Sequence, residues 1–341
     1  MHSDWIVVIL NAGKEAFMSI TIKELADYLG LSIGTISRAL HDDPKIAEST
    51  RKKVKELASK LEYVPSSLGR GLQSRKSFLL GYLVSNIKDS FYNEILQGIA
   101  QEAQRRGYGL LVGVTEDNTA SELDQLRFFR EKSVDGIIIS NYTKETIPTI
   151  IKLREAGMPI VICDFETFDV SIPVVVLDEY RAMELLVDYL ANLQHKQFAF
   201  YYQLNANSMK RYAIVSDLLH QKALPKPYLC NGKAHLIELM SQDDRPTAII
   251  SYSDLFAIEA IQTLTEMGIK VPEDVSVTGF DDLLYAQWPP YSLTTIYQPK
   301  TRIGELSASS LIDIINTKKQ VLPEPIEPQL IIRNSCAEIR K

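Results

Sequence analysis

The chain has 341 residues, 45% of them hydrophobic and 23% charged, and a formal net charge of -6. That length holds two or three compact units, and that balance is the balance of a globular protein rather than of a disordered or fibrous one. The three widely spaced cysteines, with no CxxC or Cys/His cluster, indicate neither a disulfide framework nor a zinc site, and no run approaches the roughly 20 apolar residues that span a membrane.

Trp5–Leu10, WIVVIL, is the nearest thing to a targeting signal. It is too short for a signal-peptide core, lacks a basic flank and is followed by no cleavage pattern, so a cytoplasmic protein is expected. Residues 1–17 read as a disordered extension ahead of the first patterned segment. Charge is uneven beyond it. Met18–Ser77 holds eleven Lys and Arg against seven Asp and Glu, so the remainder of the chain is more acidic than the total. A basic head on an acidic body is the asymmetry of a DNA-binding module attached to something else.

Thr21–Leu40, TIKELADYLGLSIGTISRAL, reads as two short helices meeting at a tight turn. Ile22, Leu25, Ala26 and Leu29 fall on one helical face. Gly30 can take the left-handed conformation that ends the first helix, and Ser32 can cap the second. Ile36, Ala39 and Leu40 then face inward, leaving Ile33, Gly34, Thr35, Ser37 and Arg38 outward, a surface suited to the DNA major groove. An ordinary helical hairpin with a solvated face fits those twenty residues as well. After HDDPKI comes TRKKVKELASKLEYVP, with an apolar stripe of Val54, Leu57, Ala58 and Leu61. A third helix over the first two is what so small a domain needs to bury a core. Its other faces carry Arg51, Lys52, Lys53, Lys55 and Lys60, suited to phosphates.

With that third helix in place the chain resembles the LacI/GalR family of bacterial transcription regulators, from about Ser19 to the C-terminus. The likeness is carried by TIKELADYLGLSIGTISRAL, TRKKVKELASKLEYVP and the segment that follows. To the outward helix face it adds Thr21, Ser32, His41, Thr50 and Tyr63 as expected DNA contacts, within a helix-turn-helix domain over residues 18–65. SSLGRGLQSRKS, residues 66–77, is by composition a linker. The resemblance implies a hinge helix that folds on operator DNA, with Leu72 as a wedge in a minor-groove step and Arg70 as the hinge arginine. Here the sequence departs from the pattern. Gly69 and Gly71 flank Arg70, and Ser66 stands where asparagine is common. Each glycine weakens a helix by about 1 kcal/mol against alanine.

From Phe78 the rhythm becomes apolar strand, then amphipathic helix. FLLGYLV, YGLLVGV, DGIIIS, PIVICDF and PVVVLD form one set, and FAFYYQL, TAIISY and VSVTGFD a second. Such alternation predicts parallel sheets covered on both faces. The expected fold is therefore α/β: a small all-α helix-turn-helix head, a hinge, and a two-lobed domain over residues 78–341 like that of periplasmic binding proteins. Ligands of open α/β sheets lie at the carboxyl ends of strands. Asp164 follows PIVIC, Ser140 and Asn141 follow GIII, Ser253 and Asp254 follow AIISY, and Asp281 and Asp282 follow VSVTGF. The resemblance makes Asp164, Arg211 and Asp281 effector contacts, and puts Ser253 where the family often has asparagine. Phe91 and Tyr92 can stack on a sugar face or pack in a core. Tyr297-Gln298 lies where the chain would cross between lobes.

No P-loop, GxGxxG, GxSxG or HExxH motif is present, and Asp281-Asp282 lacks a third ligand, so no enzyme, metal site or cofactor is expected. The expectation is a homodimeric transcriptional repressor whose partners are operator DNA and a small sugar or sugar-phosphate effector bound between the lobes. A regulator with a phosphorylated protein co-effector and a soluble sugar-binding protein remain the alternatives at this point.

Overall fold

The computed structural model describes residues 20–40, 42–61, 63, 76–88, 90–165, 168–202, 206–319 and 323–339. The expected extension, His41 and residues 66–75 of the hinge, with Arg70 and Leu72, lie outside them. The chain divides into two compact units, Met1–Ser77 and Phe78–Lys341.

Three helices make the head: α1 (Ile22–Leu29), α2 (Ile33–Leu40) and α3 (Glu48–Lys60). A reciprocal capping box starts α1. Thr21 N donates to Glu24 Oε2 at 2.7 Å, and Glu24 N donates to Thr21 Oγ1 at 3.3 Å. Gly30 ends it at φ 63°, a conformation that costs glycine nothing. Ser32 Oγ accepts from Thr35 N at 3.1 Å and so caps α2. Leu25, Ala26, Ile36, Ala39, Val54 and Ala58 are the buried core, with Leu29, Leu40, Leu57 and Leu61 packed half-buried around it.

The second unit carries two sheets. The first, in order β2-β1-β3-β4-β5, is built from β1 (Leu79–Val84), β2 (Gly109–Val114), β3 (Gly136–Ile139), β4 (Ile160–Cys163) and β5 (Val174–Val175). It is parallel throughout, with Leu80 opposite Leu110 on one side and Gly136 on the other. α4 (Ser90–Arg105), α5 (Thr119–Glu131) and α6 (Ile147–Glu155) connect its strands. The period of two is visible in the packing. Leu80, Tyr82 and Val84 join one core with Ile95 and Ile99, while Leu83 joins the opposite core with Leu126 and Phe129.

The second lobe runs α7 (Glu179–Asn192), β6 (Phe198–Tyr202), α8 (Ala206–Gln221), β7 (Tyr228–Asn231), α9 (Gly232–Met240), β8 (Ala248–Ser251), α10 (Asp254–Glu266), β9 (Ser276–Asp281) and β10 (Thr294–Tyr297). The chain then returns to the first lobe as α11 (Lys300–Thr317) before adding β11 (Gln329–Ile331) antiparallel to β10. The sheet order is β11-β10-β9-β8-β6-β7. α11 packs backbone to backbone on α4. A Cβ on Gly98 would lie 2.0 Å from Thr301 O, and one on Gly304 would lie 2.1 Å from Ile95 O.

Three segments therefore pass between the lobes. PVVVLD gives only a two-residue strand because its second half is one of them. Ile326 N donates to Val176 O and Asp178 N to Ile326 O, both at 2.8 Å, binding two crossings together. Gln298-Pro299 is the third. Among the described residues no helix is long and apolar enough to cross a membrane.

Candidate DNA-reading face and effector cleft

On α2, Ile33 is 48% exposed, and Gly34 and Arg38 are exposed beside it. Arg38 Nε donates to Gly34 O at 3.1 Å, which lays the guanidinium along the helix start. A Cβ at Gly34 would meet only Ser32 Oγ, at 3.8 Å, so nothing in the head itself demands glycine there. Ser32 and Thr35 share a hydroxyl bond of 2.9 Å, and Ser37 is half-buried. Thr21 is exposed, although its hydroxyl serves the capping box; its backbone N–H and then its hydroxyl hold the Glu24 carboxyl below its usual range. Thr50 is half-buried in the first turn of α3.

Tyr63 packs half-buried against the head's core. Of the basic residues on α3, Arg51 Nη1 donates to Asp43 O at 3.2 Å and Lys55 pairs with Asp42 at 2.5 Å. Those two hold the α2–α3 loop, and Lys52, Lys53 and Lys60 remain exposed for phosphates.

In the second unit Asp164, Arg211 and Asp281 come together between the lobes. Asp164 follows β4 at φ 55° and Asp281 ends β9 at φ 115°. A non-glycine residue at positive φ is strained, and such strain concentrates at ligand sites. Arg211 is 7% exposed, its guanidinium centred 3.7 Å over the Phe280 ring and 4.9 Å over that of Tyr252. Its Nε donates to Glu179 Oε1 at 2.9 Å and its Nη1 to Tyr252 O at 2.8 Å. Lys210 Nζ pairs with the other oxygen of Glu179, also at 2.9 Å. Burial would raise the Glu179 carboxyl, but Arg211 and Lys210 outweigh it and hold the group below its usual range. Asp164 goes the other way. Burial pushes it well up, Arg211 pulls down, and Asp281 and Glu179 push up again.

Gln298 Nε2 donates to Asp281 Oδ1 at 2.7 Å, while its Oε1 is buried with no partner among the described residues. Asp164, Phe165, Glu179, Lys210, Arg211 and Gln298 line a cavity of about 30 Å³. That is room for a water or two, far below the roughly 300 Å³ where ligand pockets begin. A sugar needs the lobes further apart than this.

Two residues expected at the cleft lie beneath it. Ser140 is fully buried, its Oγ bonded to Tyr82 Oη at 2.8 Å. Phe91 is 6% exposed in the first lobe's core, edge-on to Tyr92 at 5.3 Å. Ser253 is half-buried at the start of α10, where its side chain makes no capping bond. Asp254 is fully buried, accepting from Thr295 Oγ1 at 2.6 Å and from Leu283 N at 2.7 Å, so it ties strand ends together. Asp282 pairs with Arg333 at 2.7 Å, away from its neighbour Asp281.

Sequence reasoning missed Glu179, Lys210, Gln298's open acceptor and Lys300. Lys300 is 1% exposed at the first position of α11, and its Nζ donates to Asp281 O at 2.6 Å, Gln298 O at 3.3 Å and Asp282 O at 3.4 Å. A buried ammonium at the positive end of a helix dipole needs such a cage of carbonyls. That placement was the available signal.

Comparison with known proteins agrees with this architecture. The family described as bacterial regulatory proteins, lacI family, matches residues 21–66, and the periplasmic binding protein-like domain matches residues 187–336. The HTH-type transcriptional repressor PurR of Vibrio vulnificus (strain CMCP6) is 28% identical over 335 residues, covering 94% of this chain and 99% of that protein. Catabolite control protein A of Priestia megaterium is 29% identical over 313 residues, covering 88% and 93%. A Lac repressor dimer bound to operator and the anti-inducer ONPF shares the fold with a TM-score of 0.82 at 21% identity, over 94% of this chain and 99% of that one. With a lacI-type head over residues 21–66, a periplasmic-binding-protein-like body over residues 187–336 and repressor relatives along nearly its whole length, the chain is similar throughout to the lacI family of bacterial regulatory proteins.

Proposed function

We propose that this protein is a cytoplasmic, dimeric transcriptional repressor that releases or grips its operator according to a small carbohydrate held between the lobes. The observation that carries the reading is the convergence of Asp164, Arg211 and the open acceptor of Gln298 on one inter-lobe cavity, with Asp281 bonded to Gln298 behind it. Ile33, Gly34 and Arg38 read base edges, and Thr21, Ser32 and Thr50 stand at helix starts that can meet phosphates. The Lac repressor dimer that shares this fold is itself bound to operator.

Homodimerisation has its own support. Leu255, Leu284 and Trp288 are 51%, 61% and 51% exposed on the second lobe. Asp254 binds Leu283 N, which keeps Leu255 and Leu284 on adjoining segments. Exposed large apolar groups gathered this way suit a second copy of the chain.

The test is operator titration by fluorescence anisotropy on DNA from upstream of the gene, with and without a panel of carbohydrates. The expected result is tight, sequence-dependent binding that one carbohydrate shifts, with Arg211→Ala keeping the DNA affinity and losing the shift. Equal affinity for upstream and scrambled DNA sinks the regulator reading. A shift that survives Arg211→Ala moves the effector out of the cleft.

A further inference from the structure

We propose that Glu179 is a specificity-determining residue of the cleft, one that reserves it for an uncharged, hydroxyl-rich ligand and shuts out anionic ligands such as sugar phosphates. The proposal rests on the reading of the cleft as the effector site and narrows what that site accepts.

The geometry behind it is a carboxylate already seated where an anion would sit. One Glu179 oxygen takes Arg211 Nε and the other takes Lys210 Nζ, each at 2.9 Å. Two cations on two oxygens is the pattern by which proteins hold a bound carboxylate or phosphate. The remaining cation nearby, Lys300, is directed into the carbonyls of Asp281, Gln298 and Asp282, with Glu94 at 3.8 Å. Among the described residues, no cation lining the cavity is left without a carboxylate.

What the cavity offers instead are acceptors. Gln298 Oε1 is buried with no partner among the described residues, and Asp164 lines the same cavity. Asp281 already receives the Gln298 amide on Oδ1. Acceptors ask for donors, and sugar hydroxyls donate. A phosphate brings only further acceptors and a charge of the same sign as Glu179, and like charges within about 4–6 Å disfavour ionisation or binding.

Glu179→Gln keeps an oxygen for Arg211 but removes the charge that occupies both cations. Inorganic phosphate is the probe, because it needs no knowledge of the natural effector. Thermal midpoint and calorimetry are read in phosphate against chloride at matched ionic strength. Wild-type protein is expected to gain nothing specific from phosphate. Glu179→Gln is expected to bind phosphate about tenfold or more tighter than wild type, with the gain lost in Glu179→Gln/Lys210→Ala. A phosphate effect in wild-type protein that disappears in Arg211→Ala overturns the proposal without need of the Glu179 variant, should that variant not fold. A folded Glu179→Gln with no phosphate gain overturns it as well. Failure of the effector reading itself is separate, since it appears as a carbohydrate response that persists in Arg211→Ala.

Discussion

Replacing Lys300 with methionine tests whether the inter-lobe crossing is held by charge or only by packing. The stem of methionine fills most of the same volume, so the perturbation is the loss of the ammonium. The Asp281 carbonyl at 2.6 Å loses a charge-assisted bond, and those of Gln298 and Asp282 at 3.3 and 3.4 Å lose weaker ones. A bond to a charged group contributes about 1.5–3 kcal/mol, and an unsatisfied buried acceptor costs about 1–3 kcal/mol. Against this, the variant no longer buries a charge, and no longer places one at the positive end of an 18-residue helix, where repulsion is worth about 0.3–1 kcal/mol. The expected balance is a loss of about 2–3 kcal/mol. Urea unfolding of the full chain, followed by far-UV circular dichroism, reads it as a lower midpoint. Effector affinity should fall too, because Asp281 at φ 115° is held in place by the same carbonyl. A methionine variant as stable as wild type would refute the reasoning and mean that desolvation of the ammonium cancels its bonds. Lys300→Arg should not rescue, since a planar fork has no room at a site 1% exposed.

Three further outcomes follow from the same structure. Gly304→Ala places a Cβ 2.1 Å from Ile95 O, so it should cost about 3 kcal/mol or more; a midpoint within error of wild type would mean that α4 and α11 can part without penalty. His195 is buried between Thr247, Ser276 and Ala337 O, and burial lowers its pKa despite the carbonyl. Its contribution is therefore present above the unfolded value of about 6.5 and lost as pH falls through the lower folded value, so His195→Gln should be less stable than wild type at pH 8 yet lose less on acidification, and parallel stability curves would count against this. Gly34→Ala should leave the head as stable or gain up to about 1 kcal/mol of helix propensity while weakening operator binding; unchanged operator affinity would remove Gly34 from the DNA-reading face.

The head was legible because its signals are local. Thr21 with Glu24, Gly30 and Ser32 are caps whose partners lie within a turn, and the structure places them in those roles. The strands were legible as apolar runs, but their ends were not, and PVVVLD reads as one strand although Val176-Leu177 belongs to a crossing. The return of the chain to the first lobe as α11 is a long-range fact. Its only local trace is the small-residue seam of Gly304, Ser307 and Ala308, which is ambiguous until Gly98 is known to face it. At the cleft, Arg211 and Asp281 carry charges at strand ends or a helix start and so drew notice. Phe91 and Ser140 share that position in the pattern, yet their side chains turn into the core, and strand-end position alone does not fix the depth of a side chain.

Gln298 joins the cavity and the crossing in a single residue, and that gives the effector a route to the whole second unit. Its amide nitrogen holds Asp281, its carbonyl oxygen Oε1 is buried and open, and its backbone carbonyl accepts from Lys300 at the head of α11. The cavity of about 30 Å³ must widen for a sugar, and the lobes can move only where the crossings let them. A hydroxyl that bonds Oε1 therefore favours one inter-lobe angle over another, which is the differential affinity that any ligand-driven shift requires. Gln298→Leu separates these roles. It gives up one hydrogen bond but also removes a buried acceptor that has no partner, so stability should move by no more than about 1 kcal/mol. Operator affinity without carbohydrate should stay near wild type, while the carbohydrate-induced change in operator affinity should fall at least tenfold, about 1.4 kcal/mol of coupling. An intact response in Gln298→Leu would show that the effector drives the lobes through contacts elsewhere in the cleft, and that the unpartnered oxygen of Gln298 is only a cost of the crossing.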